Sequence, residues 1–312
     1  MQINGIQIDD TFAEAFNMRA TRVIITALNL KWAYHAANAM TGFATSVIGC
    51  GVEAGIEREF KPDETPDGRV GVSVLLFAMG SKVLMQQLET RMGQCILTCP
   101  TAAAFAGIEP KEGLEVHQIS VDIINLGAHL RYFGDGFQTS KFISNKRYWR
   151  IPVMDGEFLV QESTGMVRAI GGGNFLILAT SIEAALNAAE TAIVAMKKLP
   201  NVIMPFPGGV VRSGSKVGSK YPSMFASTND AFCPTLKGLT KTELDDDIES
   251  VLEIVIDGLT FDDIAKAMKV GIEAICNLGV ASGVKRGVKR ISAGNYGGKL
   301  GPHHFKLHEV LA

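Results

Sequence analysis

The stretch Asn174–Phe206, NFLILATSIEAALNAAETAIVAMKKLPNVIMPF, contains the grammar of the whole chain. Asn174–Ala179 is a short apolar run with strand composition. Ser181–Lys198 follows as an amphipathic helix, with Ile182, Leu186, Ala189, Ile193 and Met196 on one face at helical spacing. Ser181 suits the N-cap, and Glu183 lies in the first turn, where the helix dipole favours an anion. Val202–Phe206 then reads as a second strand.

The same β-α-β order recurs three times. Arg22–Ala27, Leu30–Met40 and Thr45–Ala54 form one unit; Val70–Met79, Ser81–Met92 and Cys95–Thr98 form another. Ser250–Ile256, Thr260–Leu278 and Lys289–Ala293 form the last. In its helix, Thr260 with Asp263 resembles a capping box, and Ile264, Met268, Ile272 and Ile275 make the apolar stripe. Gly279 suits the stop. Two such units in tandem make a βαββαβ, ferredoxin-like arrangement, which predicts an α+β protein with two ferredoxin-like lobes. Short β-like stretches at His129–Phe137, Tyr148–Met154 and Glu157–Glu162 predict an antiparallel meander between them. The expected division is 1–130, a connector at 131–168, and 169–312. Gly107–Gly127 reads as an irregular insertion.

The chain has 312 residues, ample for two domains, and 47% of them are apolar, enough to fill two cores. Lys plus Arg number 30 and Asp plus Glu 32, so no global field recruits nucleic acid or an acidic membrane surface. An anionic ligand must be held by a local basic patch. Met1–Asp10 contains acids and does not read as a secretory signal. Val70–Met79, about the longest apolar run, is too short to span a bilayer. The five Cys (Cys50, Cys95, Cys99, Cys233 and Cys276) are odd in number and scattered, which suits a reducing cytoplasm. Cys95 and Cys99 lack a second ligand pair and read as buried thiols rather than a zinc site.

Pro205–Lys220 (P-F-P-G-G-V-V-R-S-G-S-K-V-G-S-K) combines Gly208 and Gly209 with Arg212, Ser215, Lys216 and Lys220. Glycines let backbone amides approach a ligand, and the cations suit carboxylates or phosphates. No Walker A register fits, and Gly171-Gly172-Gly173-Asn174 fails the dinucleotide fingerprint because Leu176 stands where its last Gly belongs. Each segment also reads as a plain glycine-rich turn. Ala226–Pro234 offers Ser227, Thr228 and Asn229, either as substrate donors or as a capped turn. Ser292–Gly301 offers Asn295 and Lys299. Glu253 sits in S-V-L-E-I-V-I, a run that otherwise favours burial. Either it faces water from a half-exposed strand, or it lines a cleft where desolvation raises its pKa toward the range useful for general acid–base chemistry. His303, His304 and His308 lack supporting ligands and read as part of a C-terminal strand.

Several blocks resemble the formylmethanofuran–tetrahydromethanopterin formyltransferases. They are I-N-G-I-Q-I-D-D-T-F-A-E-A-F (Ile3–Phe16), E-T-P-D-G-R (Glu64–Arg69), G-Q-C-I-L-T-C-P-T (Gly93–Thr101), Y-F-G-D-G (Tyr132–Gly136) and G-G-N-F (Gly172–Phe175). P-F-P-G-G, S-K-V-G-S-K, A-S-T-N-D and S-A-G-N-Y-G-G-K-L-G follow in order. The resemblance covers essentially the whole chain. It implies formyl transfer between formylmethanofuran and N5 of tetrahydromethanopterin, both acting as carrier substrates, with no bound metal or prosthetic group. It implies a cytoplasmic homotetramer and maps the family's catalytic glutamate to Glu253. The modest charge makes the chain similar to the bacterial C1-oxidation branch. There a relative of this kind joins a formyltransferase/hydrolase complex, so hydrolase- or dehydrogenase-like subunits are expected partners. Two competing readings are a non-catalytic subunit that only holds the carrier, and an RNA-binding ferredoxin-like domain. The second is disfavoured by 7% aromatics and a net charge of −2.

Overall fold

The computed structural model describes residues 1–110, 115–116, 119–278 and 287–312. Gly279 and most of Ala281–Lys289 therefore lie outside the described residues, as does part of Gly107–Gly127. The chain divides into two compact units, Met18–Ala169 and Met1–Asn17 with Ile170–Ala312. Each boundary falls inside a long strand, Phe12–Thr26 or Ser163–Ala179.

In the first unit the order is strand (to Thr26), helix Leu30–Thr41, strands Glu53–Phe60 and Gly71–Ala78, helix Ser81–Arg91 and strand Ala103–Ala106. Glu53–Phe60, Gly71–Ala78, the Arg19–Thr26 segment and Ala103–Ala106 lie side by side, all antiparallel. This is the expected ferredoxin-like sheet. Two boundaries differ from expectation. Thr45–Ala54 is broken by a short helix, Val47–Cys50, capped by Ser46 and ended by Gly51 at φ 75°, so the strand begins at Glu53. Cys95–Thr98 is not a strand. The preceding helix widens there, with Leu97 N–H donating to Met92 O at 2.9 Å, and the strand comes at Ala103–Ala106. A short apolar run beside a helix fits either state, and length did not decide it. The meander is formed by Thr139–Ile143, Lys146–Val153 and Gly156–Gln161; the expected first stretch, His129–Phe137, is instead a helical turn at Leu130–Gly134, so the first strand comes later. It continues this unit's sheet through Val160 beside Ala104.

The second unit repeats the pattern with Ile170–Ala179, helix Ile182–Met196, strands Val202–Ile203 and Ser250–Gly258, helix Phe261–Asn277 and strand Val288–Ser292. Its sheet order is Val288–Ser292, Ile170–Ala179, Ser250–Gly258, Val202–Ile203. Ile6–Ile8 adds a parallel strand beside Val288–Ser292, and His303–Lys306 pairs with Phe12–Ala15. The N-terminal residues thus belong with the C-terminal lobe, so a contiguous 1–130 unit does not describe the molecule.

Both helices of this lobe cover one face of its sheet. Phe175, Ile177, Leu252, Ile254 and Ile256 meet Ala185, Ala189, Ile193, Ile264, Met268 and Ile272 in a single core. Truncating one of these isoleucines to Ala should cost about 2–5 kcal/mol. Ser181 and Thr260 cap as expected, accepting from the amides of Ala184 and Asp263. The buried face of the first helix is rotated from the predicted stripe. It is Ala185, Ala188, Ala189, Ala192, Ile193 and Met196, while Ile182 and Leu186 are 51% and 43% exposed. Alanines let the paired helix approach closely; a Cβ on its Gly271 would stand 2.6 Å from Met196 Sδ.

Candidate active site

The site is built on the sheet face opposite those helices. Ser250–Gly258 alternates buried and half-buried residues, so Val251, Glu253 and Val255 project away from the helices. Glu253 pairs with Leu176, which on its other side pairs with Ser292. Glu253 is clamped from its remaining edge as well. Its N–H donates to Val211 O at 2.9 Å, and Val211 N–H donates to Glu253 O at 2.8 Å.

The P-F-P-G-G block makes that clamp possible. Pro207–Gly209 is a tight turn with Gly208 at φ 65° and Gly209 at φ 85°. A side chain at Gly209 would meet Ile193 Cδ1 at 2.4 Å. The turn brings Val211 back to the strand edge. Its glycines are needed for backbone shape.

The Glu253 carboxyl makes no hydrogen bond or ion pair with any described residue. It keeps partial exposure at the residue level, yet protein surrounds the carboxyl, and burial pushes its pKa up to about 7. Such a group passes between charged and neutral forms near neutral pH, as a general acid–base must.

Ser292–Gly301 closes one side, held by two polar residues. Asn174 Nδ2 donates to Gly172 O and Gly294 O, each at 3.1 Å, and its Oδ1 accepts Gly294 N–H at 2.6 Å. The second holder is Glu14, 1% exposed. Its Oε2 accepts the amides of Tyr296 (2.7 Å) and Gly298 (2.8 Å), and its Oε1 those of Leu300 and Gly301 (both 2.7 Å). Burial pushes this carboxyl up, but the amides of Gly301, Tyr296, Leu300 and Gly298 more than reverse it and hold the group below the usual carboxylate range. Gly297 and Gly298, at φ 79° and 71°, wind the loop into this anion nest. The glycine-rich loop therefore binds an anion that the protein itself supplies.

The other predicted residues fall into two groups. Ser215 and Lys216 belong to a hairpin of Ser215–Val217 with Ala226–Thr228, in which Ser215 faces Thr228 and Lys216 faces Ser227. Lys216 Nζ pairs with Asp230 at 2.6 Å. Ser227 Oγ donates to Gly218 O at 2.7 Å, Thr228 Oγ1 lies 3.3 Å from Cys233 Sγ, and Asn229 N–H donates to Gly214 O at 3.4 Å. Asn295 turns inward: its Nδ2 donates to Thr11 Oγ1 and Phe12 O, and its Oδ1 accepts Gly297 N–H. Arg212, Lys220 and Lys299 are exposed and pair with no described residue, which leaves three cations available to an anionic ligand.

Sequence reasoning passed over Glu14 and Tyr296. Glu14 carried the same signal as Glu253, an acid inside an apolar run, here F-A-E-A-F. Burial pushes the Tyr296 phenol up, a shift that the Ser215 hydroxyl opposes and the charges of Glu253 and Glu14 reinforce.

The first unit has a cleft of about 390 Å³ lined by Leu28, Asp67, Arg69, Thr101, Asp155, Glu157 and Leu159. Its polar groups brace one another. Arg69 donates to Asp67, Thr101 O and Thr26, and Asp155 accepts Thr101 N–H. This accounts for E-T-P-D-G-R as structure, tied to the end of G-Q-C-I-L-T-C-P-T. His303 meets Asn17 Oδ1 at 2.8 Å and His304 meets Gly301 O at 3.1 Å, within a strand as expected, whereas His308 lies in the short helix Leu307–Val310.

Residues 1–153 match the family model for formylmethanofuran–tetrahydromethanopterin formyltransferase, and residues 156–310 match that family's proximal-lobe model. The chain belongs to this formyltransferase family. A formylmethanofuran–tetrahydromethanopterin formyltransferase of Methylobacillus flagellatus is 72% identical over 312 residues, covering 100% of both chains. A component of the formyltransferase/hydrolase complex of Methylorubrum extorquens is 50% identical, over 99% of this chain and 97% of its own. The crystal structure of that complex with methylofuran superposes with a TM-score of 0.93, at 50% identity, covering 100% of this chain and 99% of the other. The formyltransferase of Methanosarcina barkeri gives a TM-score of 0.90 at 46% identity, covering 99% and 100%. These formyltransferases share the two-lobe fold.

Proposed function

We propose that the chain transfers a formyl group between formylmethanofuran, or a methylofuran-type carrier, and N5 of tetrahydromethanopterin, with Glu253 moving the proton. The observation that carries this reading is Glu253: its backbone is clamped by main-chain bonds on both sides, its carboxyl has no hydrogen bond or ion pair with a described residue, and burial raises its pKa to about 7. The pterin nitrogen attacks the formyl carbon and a tetrahedral intermediate forms. Glu253 takes the proton from the attacking nitrogen and gives it to the departing furfurylamine nitrogen. Holding both carriers in one site supplies much of the remaining acceleration. Arg212, Lys220 and Lys299 are the cations for the carriers' carboxylate tails and any phosphate, while Lys216 is committed to Asp230. Gly208, Gly209, Ser215, Ser227, Thr228, Asn229 and Asn295 shape or line the substrate side.

The working form is a homotetramer in the cytoplasm, using the two carriers without a resident cofactor. Hydrolase-type subunits are candidate partners, because one relative is a component of such a complex. The test is formyl transfer by purified protein, read from pterin absorbance. Turnover should show a kcat/KM limb that rises with pH through about 7, where Glu253 becomes the base. Carrier binding without turnover would instead mark a carrier-holding subunit.

A further inference from the structure

We infer that Ser292 is a substrate-binding residue of this site, whose hydroxyl makes a hydrogen bond to the planar head group of a bound carrier. This rests on the formyl-transfer reading above and adds a second polar contact to the same site. It does not depend on the protonation state of Glu253.

The open face of the second lobe's sheet is built in rows, because residues directly opposite each other on neighbouring strands share a face. Arg290, Leu178 and Val251 form one row. Ser292, Leu176 and Glu253 form the next, and Asn174 with Val255 the last. The residues between the first two rows, Ile291, Ile177 and Leu252, point the other way, into the core beneath the helices. That alternation fixes the face on which Ser292 stands.

The outer two rows are engaged by the chain itself. Leu244 and Ile248 pack with Leu178, and Val251 packs against them. Arg290 in the same row donates to Asp245 Oδ2 at 3.0 Å. At the other end, Asn174 holds Gly294 through its N–H at 2.6 Å and its carbonyl at 3.1 Å. The middle row lies between these two covers, and its polar groups stay uncommitted. Ser292 is only 4% exposed, yet its hydroxyl makes no hydrogen bond with any described residue, and its oxygen is not sealed from solvent. Across Leu176, the Glu253 carboxyl is in the same condition.

A buried hydroxyl without a partner is a cost to the free protein. Alanine would fill the same strand position without that cost, so the hydroxyl is explained by what it binds rather than by the fold. Ser292 and Glu253 are two strand spacings apart, about 10 Å between their Cα atoms. Less the reach of the two side chains, that span suits one planar group lying over Leu176. An apolar floor with a few converging polar groups is the usual build of a small-molecule site. Both carriers bring a planar head group with N–H donors and oxygen acceptors, the formamide on one side and the pterin ring on the other. A serine hydroxyl can donate to or accept from either.

Ser292→Ala tests this, with turnover and calorimetric binding of each carrier measured on the full chain. The thermal midpoint should hold or rise, because the hydroxyl has no partner in the free protein. For one carrier, KM and the dissociation constant should rise about fivefold, as loss of one neutral hydrogen bond does, with kcat unchanged. The carrier affected identifies the head group: formylmethanofuran for the formamide, tetrahydromethanopterin for the pterin. Ser250→Ala is the control, a buried serine of the same sheet that pairs with Ala179 and faces the helices. It should leave both affinities unchanged. Four outcomes overturn the inference: both affinities of Ser292→Ala within about twofold of wild type, a rise accompanied by a lowered thermal midpoint, a fall in kcat at constant KM, or an equal rise in Ser250→Ala. A wild type that neither binds nor turns over the carriers overturns the formyl-transfer reading itself. An active wild type with an unaffected Ser292→Ala overturns this inference alone.

Discussion

Glu14 and Glu253 are both carboxylates inside apolar strands of the second lobe, and they are treated in opposite ways. Glu14 is wrapped by four amides and its pKa is held low; the Glu253 carboxyl receives no hydrogen bond from a described residue and its pKa is pushed up to about 7. Side-chain chemistry and strand context are nearly the same, so the difference comes from the loop Ser292–Gly301, which directs its donors at one acid and leaves the other bare. One becomes a permanent anion and a structural pin, and the other a group that can gain and lose a proton.

The largest test of this contrast is Glu253→Gln, which should lower kcat about a thousandfold with fold and carrier binding intact. Unchanged kcat would remove Glu253 from the chemistry. Glu14→Gln should be next. It sets an amide donor against four N–H groups and should cost about 3 kcal/mol of stability, with disorder spreading through Tyr296–Gly301. Denaturant melts and amide exchange would show it, and an unchanged melt would mean the nest is not a pin.

The pair also predicts opposite pH behaviour. Glu253 has a folded pKa above its unfolded value, so its ionisation penalty builds up between the ordinary carboxylate pKa and about 7. Glu253→Gln should therefore gain up to about 3 kcal/mol of stability at pH 8 and almost nothing at pH 4. Glu14, with its folded pKa below the unfolded value, adds stability present above the unfolded pKa and lost as pH falls through the folded pKa. The smallest effect concerns the exposed cations. Arg212→Ala or Lys220→Ala should raise carrier KM several-fold, more at low salt than at high, and leave kcat unaltered.

Much of this was legible in the sequence, and the gaps have physical causes. Strand alternation and helix caps gave both βαββαβ lobes, since local periodicity survives folding. Glu253 was visible because an acid among Val, Leu and Ile conflicts with its surroundings. The nest was not visible. Glycines announce that a loop will collect an anion, but not that the anion is Glu14, because that pairing joins residues far apart in the chain. The helix Ile182–Met196 shows a related limit. Ranking residues by hydrophobicity selected Ile182 and Leu186, whereas close helix packing selected the alanines.

The same long-range pairing sets an order of assembly. Glu14 precedes its partners by 282 to 287 positions, so it is made at the start of synthesis and satisfied only at the end. The lobe Met18–Ala169 has its own complete core and can form while the rest is still being made. A chain halted at Ala293 would carry Glu253 in its strand but would leave Glu14 without its four donors. The catalytic face is thus the last part of the molecule to close, and an unfinished chain has a scaffold but no working site.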